Sequence, residues 1–351
     1  MATQHQIEKI LEQARQEFVF SAYQCIAESP TSTLSLARGV YSYWGIAQNI
    51  TEASWFDLAS LTKALCTTSI LARWAERGVL DIEAPLETVA AEWRGSGYGK
   101  LPLCDLLAHA GGLLDWYPLY QETDWKTCLR ENESTFILCK PRQKVCYSDI
   151  GFLLLGTAIE SVSGQALNQV FESEVCAPLQ ISGLAFNPPN PMNCVATEWR
   201  AAIGTPLRGK SFDENSEAML GVAPHAGLFG SAKSVLPIVK EWLLAIQGRS
   251  SWLQQKTAQR FTQRSELVSG SSWALGWDTR SFQGSSAGSV FSQKSFGHLG
   301  FTGTSIWVDP EVQGICIFLT NRVHPSRVDD RIRRVRPILH DEVAHFWRSH
   351  S

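Results

Sequence analysis

Strand-like sequence falls at both ends of this 351-residue chain, and helical sequence fills the middle. Residues 18–29 (FVFSAYQCIAES) and 33–45 (TLSLARGVYSYWG) read as two strands joined at Ser29-Pro30. Residues 296–321 return to the strand pattern in FGHLG, TSIWVDP and GICIFLTN, broken at Gly300–Gly303 and at Pro310-Glu311. The economical solution pairs these distant strands in one sheet, so the expected fold is α+β: an antiparallel sheet flanked by terminal helices, with a helical insertion domain. The expected boundaries are 1–58 plus 270–351 for the sheet domain and 59–269 for the mainly helical one. The first helix carries Ile7, Ile10, Leu11 and Ala14 on one face. A final helix is expected from about Arg327 to Arg348, with the RIRRVR run at 331–336 as its solvated face. The Ser- and Gly-dominated stretch 269–289 reads as an exposed loop region, and a Gly/Ala loop precedes a helix from Ser234.

Charge and cysteine usage narrow the function classes. A formal net charge of −3 with 19% charged residues leaves no nucleic-acid footprint and no polybasic membrane patch. No window approaches the ~18 apolar residues of a membrane span. Nine cysteines without a CxxC pair fit buried thiols in a reducing compartment, so a cytoplasmic location is expected. Neither His-Glu-x-x-His nor Cys/His ligand spacing occurs, so no metal and no cofactor are expected.

The candidate chemistry begins in WFDLASLTKALCTTSILAR, residues 55–73. Ser60 and Lys63 stand three apart at helical spacing, which projects both from one face and sets the amine beside the hydroxyl. Serine is a poor nucleophile until a neighbouring base or cation activates it, so Ser60 is the candidate nucleophile and Lys63 its activating neighbour. Tyr147-Ser148-Asp149 precedes an apolar helical run. A phenol near an ammonium has its ionised form favoured, a route to a general base, and the Asp149 carboxylate suits a hydrogen bond to Lys63. His298-Leu299-Gly300-Phe301-Thr302-Gly303 lies on a terminal strand, where glycines admit close backbone approach and N–H groups can point at an oxyanion. Each group also has a plain structural reading: a surface Ser–Lys pair, a buried tyrosine with Asp149 capping the next helix, and a glycine bulge.

Taken in order, Ser-x-x-Lys, Tyr-Ser-Asp and His-x-Gly resemble the pattern of the serine β-lactamase and penicillin-binding-protein superfamily. The likeness is to its class C-like branch of D,D-peptidases, D-aminopeptidases and carboxylesterases. FDLASLTKA, LLAHAGGL, YSDIGFLLLG, GVAPHAGLFG, GHLGFTGTSIWVDP and LTNRVHP carry it, over roughly Phe18 to Phe346. The resemblance implies a serine hydrolase that forms an acyl-enzyme on Ser60, with Lys63 its partner and Tyr147 the general base that also protonates the leaving group. His298 would replace the lysine of the family's Lys-Thr-Gly, and the N–H groups of Ser60 and Phe301 would form the oxyanion hole beside Gly300. Asp149 stands where class C enzymes carry Asn, and Leu299 where they carry threonine. Both departures argue against efficient β-lactam hydrolysis.

Around this centre, Trp116, Tyr117, Tyr120, His225, Arg322 and His324 are candidate substrate contacts, the cationic or hydrogen-bonding ones suiting a carboxylate. His109 reads as a packing residue. The expected substrate is a small molecule or short peptide, first a wall-derived peptide or D-amino-acid compound, with a small ester as the alternative. A non-catalytic sensor or scaffold is the rival from another class. Asp149 and Leu299 favour it; the intact Ser60, Lys63 and Tyr147 oppose it.

Overall fold

The computed structural model describes residues 2–45 and 48–349. Six antiparallel strands form the main sheet: β1 (Ala22–Glu28), β2 (Thr33–Gly39), β3 (Asp278–Thr279), β4 (Phe296–Leu299), β5 (Ser305–Asp309) and β6 (Gly314–Thr320). Their order is β2-β1-β6-β5-β4-β3, so the two ends of the chain meet at the β1–β6 ladder, with Tyr23 opposite Thr320 and Glu28 opposite Ile315. The mixture of helices with one antiparallel sheet is the α+β arrangement expected from the strand positions.

Both faces of the sheet are covered, which is why β6 is buried at every position rather than at alternate ones. Side chains still alternate between two cores, as the period-two geometry of a strand requires. Cys316 and Phe318 point to one core with Ile7, Leu11, Leu339 and Trp347 from the terminal helices α1 (Ala2–Gln16) and α5 (Ile332–Arg348). Ile317 and Leu319 point to the other, which contains the helix that follows Ser60 and α4 (Ala232–Ile246). Each fully buried large apolar side chain contributes about 1.5–3 kcal/mol, so this double coverage supplies much of what holds the two chain ends together.

Among the middle elements, helix α2 occupies 61–76 and contains near its start a π-helical segment, Lys63–Thr68, every residue of which is buried. Gly78 follows at φ +68°, the left-handed position that ends a helix and that glycine adopts without strain. Helix α3 (Asp149–Ser163) is capped by Ser148, whose hydroxyl accepts the Gly151 N–H at 3.1 Å. Asp149 is therefore free of the capping role. Among the described residues no single helix is long and apolar enough to cross a membrane.

Four details differ from the sequence reading. Residues 228–230, read as loop, form the centre of a small three-stranded sheet between Phe56–Asp57 and Leu184–Phe186. Strands of two and three residues are too short to show a periodic signal. The 269–289 stretch is not simply exposed: Trp277 is fully buried and Asp278–Thr279 closes the edge of the main sheet. The last helix starts at Ile332 rather than Arg327, because Arg322 Nη1 takes the carbonyls of Arg327 and Asp329, both at 2.9 Å. Within the basic run, Arg336 is buried on the face shared by Ile332, Leu339 and Val343. The solvated-face reading fails for that residue.

Candidate active site

The segment leading into α2 is held in an unusual shape. Ala59, just before Ser60, has φ +49°, a region disfavoured for residues bearing a Cβ. The Asp57 carboxylate holds the bend by accepting the N–H groups of Ala59 (2.8 Å) and Phe212 (2.6 Å). Complete burial pushes the Asp57 carboxyl up to about 6 against those two bonds.

Lys63, fully buried one helical turn on, donates from Nζ to Ser60 Oγ at 3.0 Å and to the His225 carbonyl at 3.1 Å. Asp149 Oδ1 forms an ion pair with the same nitrogen at 2.7 Å. Burial alone would lower the lysine pKa. The Asp149 charge and Tyr147 outweigh it and leave the pKa raised. Lys63 is therefore an ammonium at rest, a donor to Ser60 rather than a ready base. Its Nζ also sits 5.0 Å from the Tyr147 ring centre.

Tyr147 is likewise in its protonated form at rest. Burial raises its pKa, Lys63 pulls it down, Asp149 raises it again, and the net direction is upward. The expectation that the ammonium makes the phenol acidic is thus offset by desolvation and by Asp149. The loop carrying Tyr147 is clamped by His109, whose carbonyl accepts the Cys146 N–H and whose Nδ1 accepts the Ser148 N–H, both at 3.0 Å. His109 does more than pack a helix end: it fixes the residues on either side of Tyr147.

His298 is neutral. Its Nδ1 donates to the Leu299 carbonyl at 2.8 Å, which leaves Nε2 as an acceptor without a partner among the described residues. Burial, with the Lys63 charge, pushes its pKa down to about 3. Where the resemblance implies the replacement of a lysine, His298 thus offers a hydrogen-bond acceptor and no charge. Rings of Tyr147 and Trp273 approach it at 6.2 and 5.5 Å between centres.

The turn after β4 docks directly onto the segment before Ser60. Thr302 Oγ1 donates to the Asp57 carbonyl (2.8 Å) and Thr304 Oγ1 to that of Leu58 (3.1 Å). Gly300 is required by this closeness, since a Cβ there would lie 2.0 Å from Thr304 Oγ1 and 2.7 Å from the Leu58 carbonyl oxygen. The backbone N–H groups of Ser60 and Phe301 donate to no partner among the described residues. Both residues line one cleft of about 600 Å³, together with Tyr147, Trp273, His298 and Arg336. A roomier hollow of about 840 Å³, lined by Ser35, Arg38, Trp55 and Lys233, contains none of these groups.

The remaining sequence candidates are placed as follows. Arg322 lines the cleft, but its Nε is committed to the Phe301 carbonyl at 2.7 Å. His225 is buried beside Lys63, with its ring on Asp213 at 2.9 Å. His324 does not line the cleft; Nδ1 lies 2.7 Å from the Thr197 carbonyl oxygen and Nε2 accepts from the Tyr43 N–H at 3.1 Å. Trp116 and Tyr117 are also outside it: Trp116 is exposed and Tyr117 packs edge-on to Phe136. Asp149, Asp213 and His225 each offer a ligating atom within 4.8 Å of the others, the set among the described residues that could hold a cation beside Ser60. The Lys63 ammonium already supplies the positive charge to Asp149 there, and His225 is paired with Asp213.

Trp273 and Arg336 were not singled out from sequence. Trp273 had no signal beyond an aromatic in a Ser/Gly-rich stretch. Arg336 had one: it falls in register with Ile332, Leu339 and Val343 on the apolar face.

Comparison with known proteins agrees with this architecture. The sequence model of the β-lactamase family matches residues 37–339. The N-acetylmuramyl-L-alanine amidase of Bacillus subtilis (strain 168) is 31% identical over 310 residues, 78% of this chain and 69% of that protein. A putative D-alanyl-D-alanine carboxypeptidase of Escherichia coli (strain K12) is 28% identical over 313 residues, 80% of this chain and 71% of that one. Among solved structures, a class C β-lactamase from Rhodobacter sphaeroides superposes with a TM-score of 0.75 at 17% identity, covering 97% of this chain and 99% of that one. EstCE1, described as a hydrolase with promiscuous acyltransferase activity, gives 0.75 at 18% identity with the same coverages.

Proposed function

Since this chain belongs to the β-lactamase family of serine hydrolases, we propose that Ser60 is the nucleophile of an amide hydrolase acting on cell-wall-derived peptides. The observation that carries the reading is the contact of Lys63 Nζ with Ser60 Oγ at 3.0 Å in a buried site that also holds Tyr147. Ser60 Oγ attacks the carbonyl carbon, and the oxyanion is received by the N–H groups of Ser60 and Phe301. The Ser60 proton passes to the Lys63–Tyr147 pair and from there to the departing amine nitrogen as the C–N bond breaks. Water then attacks the acyl carbon while the pair takes its proton, and the pair passes that proton to Ser60 Oγ as the ester C–O bond breaks and the acid departs.

Because Lys63 and Tyr147 are both protonated at rest, the pair must first lose one proton to act as a base, so the rate rises on the alkaline side. An amide is favoured over an ester because relatives named an amidase and a putative carboxypeptidase, both acting at amide bonds, align over most of this chain. Neutral His298 and Leu299 in place of a Lys-Thr pair support poor turnover of β-lactams.

The test incubates the pure protein with a mixed muropeptide digest and with a panel of p-nitrophenyl esters, using Ser60→Ala as control. Ser60-dependent loss of particular muropeptide masses is expected. Ser60-dependent ester cleavage with every muropeptide unchanged would replace this reading by a carboxylesterase. A stable Ser60 adduct without turnover of either class would replace it by a non-catalytic binder.

A further inference from the structure

Arg336 is 6% exposed and has no carboxylate within ion-pair distance among the described residues. Burying a cation without a counter-ion is costly, so what it contacts matters. Its Nη2 donates to the Gly300 carbonyl at 2.7 Å and to the Thr304 carbonyl at 2.8 Å, the two ends of the turn that presents Phe301. The Gly300 carbonyl also accepts the Gly303 N–H at 3.1 Å. That carbonyl belongs to the same peptide group as the Phe301 N–H, which has no partner among the described residues and flanks the cleft. Burial, reinforced by Arg322 and Arg333, pushes the Arg336 pKa down to about 9, so the group is still cationic at neutral pH.

A charged donor on a carbonyl draws electron density through the peptide and makes the N–H at its other end a stronger donor. We infer that Arg336 is a positioning residue of the oxyanion hole, polarising and orienting the Gly300–Phe301 peptide so that the Phe301 N–H meets the developing charge. The inference rests on the acyl-enzyme reading of Ser60 and extends it to a residue on the far helix, α5. Mere stapling of the turn would need the two hydrogen bonds but not the charge.

The experiment acylates the full-length protein with a slowly hydrolysed ester carrying ¹³C at the carbonyl and records the infrared band of the Ser60 acyl group. It compares wild type with Arg336→Lys and Arg336→Met and measures kcat and KM alongside. Losing one oxyanion donor outright costs about 10²–10³ in kcat. Weakening one should therefore lower kcat about tenfold in Arg336→Met, with KM little changed and the carbonyl band at higher wavenumber. Arg336→Lys, which keeps charge and one donor, should recover part of both. Should Arg336→Met not fold, Arg336→Gln against Arg336→Lys makes the same comparison, with the larger shift in the neutral variant. A normal Ser60 adduct with the band and kcat of wild type in the folded variants overturns the inference while leaving Ser60 as nucleophile. No adduct on wild-type Ser60 overturns the nucleophile reading, and this inference with it.

Discussion

Replacing Asp149 by Asn removes a negative charge 2.7 Å from Lys63 Nζ while keeping the side chain's size. The start of helix α3 should survive, because Ser148 supplies its cap and the Asp149 backbone N–H is held by the Asp115 carbonyl at 2.8 Å. Two unit charges at that separation attract by ~6 kcal/mol at an effective dielectric of 20. Reorganisation and the 16% exposure of the carboxylate reduce the differential to the usual range for a close opposite charge, about 1–3 pKa units. Asp149 raises both Lys63 and Tyr147, so its loss moves both pKa values down. The pair then releases its proton at lower pH, and the rising limb of kcat/KM against pH should shift toward acid by at least ~1 unit. The assay is a pH–rate profile on one p-nitrophenyl ester for wild type and Asp149→Asn. A limb that stays in place, or moves toward alkali, would refute the view that Asp149 holds the proton on this pair.

Other substitutions probe the same geometry. Lys63→Ala and Tyr147→Phe should each lower kcat at least ~100-fold in ester hydrolysis, the scale of lost acid–base assistance. Gly300→Ala places a Cβ 2.7 Å from the Leu58 carbonyl oxygen, so the turn must shift; the expected result is a kcat loss of ~100-fold, the cost of a misplaced oxyanion donor, and wild-type kcat would contradict the packing. Acid should destabilise the fold: His298 (about 3) and His340 (about 4) are buried neutral, far below their ordinary 6.5. Their contribution is complete above pH ~6.5, where the unfolded histidines are neutral too, and is lost as pH falls toward those values. Asp57 and Asp278, both raised to about 6, work in the opposite direction over a smaller span. Urea midpoints should therefore fall from pH 7 to pH 4, and a flat or rising profile would contradict the buried neutral histidines.

Most of the main sheet was legible because strands such as Gly314–Thr320 are apolar and bounded by Gly or Pro, whereas its two-residue edge strand, Asp278–Thr279, was not. The small sheet was not, since Phe56–Asp57 and Leu228–Gly230 depend on partners distant in sequence. For the candidate site, helical spacing placed Lys63 beside Ser60 and Gly300 signalled a close backbone approach. Protonation states were illegible, because they depend on burial and on charges arriving from elsewhere in the chain. His298 thus stands where the resemblance implies the replacement of a lysine, and burial together with the Lys63 charge keeps it neutral. Arg336 shows the reverse limit: its register on the apolar face was visible, but the carbonyls it meets lie more than thirty residues away.

The central claim, an acyl group carried by Ser60, is tested most directly by intact and peptide mass spectrometry after acid quench during turnover of a muropeptide digest, with a fluorophosphonate as positive control. The expected result is one acyl or phosphonyl adduct per chain on the peptide containing Ser60, absent in Ser60→Ala together with all turnover. Turnover that persists in Ser60→Ala, or an adduct on another residue, would contradict it.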